Sequence, residues 1–166
     1  MGVSKKKKIK QEYDDLNNRK IISKQNRNEK SIKQTRDPDK YYELNPSWNF
    51  SNCDNEIWEF TEKSIGNLFW NEILPFLKEL ERKKWNEILI DSKKQNHSIE
   101  IENLSKKAIN RLSELHIEVD SVISLRLTGT HRIYGYISKS VFQILWIDLK
   151  HGDNKNCVCR SSKKHT

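Results

Sequence analysis

The chain has 166 residues, 31 Lys or Arg against 23 Asp or Glu for a formal charge of +8, and a low hydrophobic fraction of 34%. That length accommodates one domain and a tail. No apolar run approaches the roughly 20 residues of a membrane-spanning helix, and the basic cluster Lys5 to Lys8 has no apolar segment behind it, which excludes a secretory signal. Three cysteines, an odd number in a lysine-rich chain, argue against a disulfide framework and give a cytoplasmic protein as the expectation.

The charge is uneven. Residues 1–40 hold 13 Lys or Arg and 6 Asp or Glu, whereas residues 41–166 hold 18 and 17. The basic balance therefore belongs to an N-terminal arm, rich in Lys, Asn, Gln and Ser and closed by Asp37-Pro38-Asp39. Its composition predicts a solvated, flexible segment. A cationic arm also suits a phosphate-rich surface, because attraction to phosphate tightens encounter in a salt-dependent way. The domain proper, residues 41–166, is close to neutral, and its chemistry must come from particular side chains.

Within that domain, Trp48 to Ser51 follows Pro46 and predicts a short edge strand, where a missing N–H costs little. Asn52 or Asp54 can cap a segment beginning near Glu56. Trp70, Ile73, Leu74 and Leu77 recur at helical spacing, with Trp85, Ile88 and Leu89 extending the same face and Pro75 predicting a kink or a restart. A second helix is predicted from Asn103, as N-cap, to Leu115, with Leu104, Ala108, Leu112 and Leu115 on one side.

Residues 122–151 are the most informative stretch. Ile123, Leu125 and Leu127 alternate with Ser124, Arg126 and Thr128, as a half-buried strand requires. Thr128-Gly129-Thr130 supplies a turn in which the glycine can take positive φ. His131 to Ile137 alternates again, Ser138-Lys139-Ser140 turns, and Val141 to Asp148 is an apolar last strand. This meander carries Arg126, His131, Arg132, Asp148, Lys150 and His151, and strand faces avoid arginine unless water or a ligand receives it. The predicted architecture is α+β, two helices covering one face of a small antiparallel sheet and the polar members of the meander on the open face.

Other chemistries find little support. There is no Gly-rich phosphate loop, no nucleophile elbow and no H-E-x-x-H. His151, Cys157, Cys159 and His165 are residue types that zinc accepts. However, C-x-C bites awkwardly beside the C-x₂₋₄-C of structural sites and no second knuckle accompanies it, so neither a metal nor a cofactor is expected.

The order of elements, with Leu125-Arg126 ending one strand, His131-Arg132-Ile133-Tyr134 opening the next and a last strand ending in Lys150-His151, resembles the RelE/ParE toxin superfamily. Arg132-Ile133-Tyr134-Gly135, then Leu145-Trp146-Ile147-Asp148-Leu149-Lys150-His151, then Lys163-Lys164-His165-Thr166 is similar to one branch of RelE-like proteins. The resemblance covers about residues 47–166. It implies a β-α-α-β-β-β fold and the toxin of a toxin–antitoxin pair, cleaving mRNA on the ribosome without a metal, with an antitoxin protein as partner. In that chemistry the ribose 2′-OH attacks the adjacent phosphorus, so a base, an acid and fixed cations are required. Arg126 and Arg132 suit the cation role, because guanidinium stays charged and offers phosphate a fork. His151 suits proton transfer. Lys150 and His131 would contact the substrate, and Tyr134 and Tyr136 would stack on a base. Structural alternatives stand beside these roles, with Arg126 or Arg132 bridged to Asp148 or Glu118 and His131 a plain loop histidine. A non-catalytic module of the same fold, binding a gyrase-type protein target or nucleic acid through the arm, is the alternative function.

Overall fold

A computed structural model describes residues 41–153 and 156–160. The arm expected over residues 1–40, and the terminal residues 163–166, lie outside them. The elements in chain order are β1 (Ser47–Asn49), a single turn α1 (Glu62–Ile65), α2 (Leu74–Leu80), β2 (His97–Glu100), α3 (Lys106–Glu114), β3 (Ser121–Arg126), β4 (Arg132–Ser138) and β5 (Val141–Asp148). They form an α+β fold around a five-stranded mixed sheet of order β1-β5-β4-β3-β2. The meander β3-β4-β5 is antiparallel, as its alternation predicts, but β1 runs parallel to β5, so the sheet is not purely antiparallel.

Two further differences alter the architecture. The extra strand β2 stands between the helices and pairs with β3 at the far edge. The two main helices also cover opposite faces. Ile73, Leu77, Leu80, Trp85 and Ile88 pack on Ile123, Leu125, Ile133, Phe142, Ile144 and Ile147. Leu104, Ala108 and Leu112 pack on Val122, Tyr134, Tyr136, Leu145 and Trp146. The predicted open face is thus closed over most of its area. The cause is visible in the sequence: Tyr134, Tyr136 and Trp146 are too large and apolar to be left in water and need a cover.

Local chemistry sets several boundaries. Ser105, not Asn103, caps α3, its side chain accepting the Ala108 amide, while Asn103 falls in a 3₁₀ turn over Ile101–Asn103. Pro75 sits in the first turn of α2, where its missing N–H is not needed, directly after a π-helical stretch over Phe69–Ile73. Trp70 turns outward, 67% exposed, whereas Trp85 is fully buried with its Nε1 donating to the Ser140 carbonyl at 3.1 Å. Asp54 caps locally, its Oδ1 accepting the amides of Glu56 and Ile57, but no helix follows it. Positive φ falls at Lys139 and Ser140 in the tight β4–β5 turn and not at Gly129. Gly135 is required for space, because a Cβ there would meet the Gln143 carbonyl and the Phe142 ring at a register shift between β4 and β5.

Candidate functional site

The register of the meander decides which polar residues meet. Arg126 lies directly opposite Arg132, and Arg132 directly opposite Asp148, so all three project from one face. It is the face that carries Tyr134, Trp146 and α3, at the end of the sheet beyond the helix. His151 follows β5 in a turn held by its own amide donating to the Thr130 carbonyl at 2.9 Å. Its Nδ1 stands 3.2 Å from the Tyr134 hydroxyl, on the same face. Arg126, Arg132 and His151 therefore converge on one side of the sheet.

Their surroundings differ. Arg126 is exposed, with Nε donating to the Thr128 carbonyl at 3.3 Å. Arg132 is 8% exposed, and its Nη1 donates to the carbonyls of Thr128 at 2.6 Å and His131 at 3.0 Å. Among the described residues no carboxylate comes within ion-pairing distance of it, Asp148 included. Burial and then Arg126 push its pKa down, against the attraction of Tyr134, Asp148 and Cys159; a guanidinium keeps its proton, so the end of this face holds a positive charge hydrogen-bonded to backbone carbonyls.

His97, at the start of β2, joins this group and was not singled out in the sequence. It pairs with Ser124, which in turn pairs with Tyr134. Although the residue is exposed, partial desolvation of its imidazole pushes the pKa down, and the charges of Arg132 and His151 push it further. A lone histidine in a short edge strand carries no sequence signal. Only the sheet brings it here.

The other expected residues fall elsewhere. Tyr134 and Tyr136 are fully buried, so neither ring offers a face on which a base can stack; apolar cover from α3 takes that surface. His131 turns to the opposite layer, its Nδ1 3.2 Å from Glu72 Oε2 in the helical stretch over 69–73. Lys150 is exposed after β5, and its amide donates to Asp148 Oδ1 at 2.9 Å. A separate groove of about 680 Å³, lined by Phe50, Cys53, Phe60, Phe69 and Trp70, contains no histidine or basic side chain and is distinct from this chemistry.

Next to His151 lie two thiols. The segment from Cys157 to Arg160 runs along the start of α3 with a bend at Val158, the Ser105 amide donating to the Val158 carbonyl at 2.9 Å and Cys159 bridging Leu104. Both thiols face His151 while Val158 enters the core. Sγ of Cys157 is 3.5 Å from His151 Nδ1, Sγ of Cys159 is 3.8 Å from it, and the sulfurs are 3.0 Å apart as free thiols. The hydrogen bond from Cys159 pulls the Cys157 thiol pKa down, against burial, and the amides of Gly152 and Cys159 help. Cys159 is pushed up by its bond to Cys157 and by burial. Asp148, 2% exposed, completes the neighbourhood, with Oδ2 at 4.0 Å from His151 Nδ1 and no hydrogen-bond partner. Burial raises its pKa against the pull of the nearby Lys150 and Val158 amides.

Among the described residues no helix is long and apolar enough to cross a membrane. Comparison of the chain with protein-family profiles, with curated proteins and with solved structures found no match in any of the three.

Proposed function

We propose that this chain is a RelE-like toxin that cleaves mRNA, with the ribosome presenting the substrate and a cognate antitoxin holding the protein in check. The observation that carries the reading is the buried Arg132 guanidinium, answered by carbonyls and no carboxylate, directly beside the exposed Arg126. A pair of like charges fixed on adjacent strands favours an anion that can bind both, and a phosphodiester has the two non-bridging oxygens to do so.

In the reaction, the 2′-oxygen forms a bond to phosphorus as its proton leaves. The bond from phosphorus to the 5′-oxygen breaks, and that oxygen takes up a proton, giving a cyclic phosphate and a 5′-hydroxyl. Arg126 and Arg132 receive the charge that grows on the phosphoryl oxygens. His151 and His97 are the imidazoles near the pair, suited to carrying the protons. The step itself asks for no metal.

The test is expression of the full chain with mapping of cellular RNA ends, for wild type, Arg126→Ala and His151→Ala. New 5′-hydroxyl ends in wild type that vanish in Arg126→Ala support the reading. Unchanged RNA ends in wild type, or full cleavage in both variants, overturn it and leave the non-catalytic module as the reading.

A further inference from the structure

Beyond this reading, and independently of it, we infer that His151, Cys157, Cys159 and Asp148 form a closed four-ligand site for a zinc-like divalent cation, which clasps the segment over 157–160 to the end of β5 and the start of α3. The three nitrogen and sulfur donors lie within 4.8 Å of one another. Zinc bonds of about 2.3 Å to sulfur and about 2.0 Å to nitrogen place a tetrahedral sulfur–nitrogen edge near ~3.5 Å and a sulfur–sulfur edge near ~3.8 Å. Both sulfur–nitrogen edges already have that length, at 3.5 and 3.8 Å. The sulfurs, at 3.0 Å, have only to open by less than ~1 Å, a small rotation about two side-chain bonds.

Asp148 supplies the independent observation. Its Oδ2 is buried and unpartnered, 4.0 Å from the ligating nitrogen of His151. An orphaned carboxylate oxygen in a protein interior is costly, and such groups are explained by an ion or a water. The carboxylate is held from behind, since Oδ1 accepts the Lys150 amide. Two thiolates and a carboxylate around a dication leave one net negative charge, and the nearby Arg132 faces it. Four protein donors leave no open position, so the site is structural. C-x-C serves here because the chain bends at Val158 and turns both thiols toward His151.

Metal at Nδ1 fixes the His151 proton on Nε2. His151 then donates a hydrogen bond to phosphate in the proposed function and leaves proton transfer to His97. The metal site stands or falls without that function.

The full-length chain, prepared under reductant, is assayed for zinc by elemental analysis and titrated with Co²⁺. One ion per chain is expected, with the intense visible absorption of tetrahedral cobalt and a near-ultraviolet thiolate charge-transfer band. Cys157→Ser and Cys159→Ser lose the band, Asp148→Asn binds about 10- to 100-fold more weakly, and Cys53→Ser retains the wild-type spectrum. Wild-type protein with neither zinc nor the cobalt band overturns the inference whether or not any variant folds. So does a Cys157–Cys159 disulfide that persists under reductant, or a cobalt band that survives loss of both thiols. RNA cleavage plays no part in this readout, so failure of the nuclease reading and failure of the metal site are seen separately.

Discussion

Arg126 and Arg132 stand directly opposite each other on neighbouring strands, and both guanidinium groups donate to one oxygen, the carbonyl of Thr128. Like charges in a direct cross-strand pair destabilise a sheet by roughly 0.2–1 kcal/mol. The turn oxygen offsets part of that repulsion and aims the two groups together. Replacing Arg126 with threonine, a good strand residue, is expected to raise stability by about 0.5 kcal/mol and, on the proposed function, to remove RNA cleavage. Denaturant midpoints and RNA-end mapping on one preparation check it; a variant both less stable and fully active would contradict the charge-pair account.

Asp54 and Arg111 make a buried bidentate ion pair. The carboxylate takes Nε at 2.6 Å and Nη2 at 2.7 Å, and Oδ2 also accepts from Trp146 at 3.1 Å. Burial raises the Asp54 pKa, but the bonds from Arg111, the Glu56 and Ile57 amides and Trp146 outweigh it and hold the value below the ordinary carboxylate range. A carboxyl with a lowered folded pKa adds stability that is complete above its unfolded pKa near ~4 and is lost as pH falls toward the folded value. Asp54→Asn is therefore expected to cost about 3 kcal/mol at pH 7. The gap from wild type should shrink below about pH 4, as thermal melts between pH 3 and 7 will show.

Gly135 tolerates no side chain. A Cβ would lie 2.2 Å from the backbone oxygen of Gln143 and 2.7 Å from the Phe142 ring. Backbone cannot yield as a side-chain tip does, so Gly135→Ala is expected to destabilise by about 3 kcal/mol or more, with β4 and β5 forced apart at the register shift. Urea unfolding of the variant measures this, and a loss under ~1 kcal/mol would show that the strands part easily there.

Lys139 and Ser140 take positive φ, 52° and 76°, as a two-residue hairpin turn demands of both central positions. Neither residue type favours that region. Ser140→Gly is expected to gain about 1 kcal/mol, provided the Trp85 bond to the residue 140 carbonyl is kept, and differential scanning calorimetry reports it as a rise in Tm.

Much of this was legible in the sequence, and what was not has specific causes. Alternation through Ile123, Leu125, Ile133 and Ile147 fixes the meander and its face, because a period of two leaves no other register that buries them. That same rule put Arg126 and Arg132 on one side. The split of the helices escaped because helical spacing says which residues are buried and not against which face. The extra strand β2 is four residues with a single buried side chain, Ile99, too short to show a period. The thiol pair was judged on its spacing alone. Spacing does not show the bend at Val158 that brings both thiols to His151. Asp54 and Arg111 meet across 57 positions, a distance over which sequence patterns are silent.

The parallel pairing of β1 with β5 sets when the sheet can be completed. Ser47 is hydrogen-bonded in register with Val141, 94 positions later, and both arginines and His151 depend on strands that complete the sheet last. A nascent chain emerging from its ribosome holds an unpaired edge until β5 has cleared the exit tunnel. On the proposed reading, a nuclease of translating RNA would be assembled only after β5 has been made, and the message that encodes it would be spared until then.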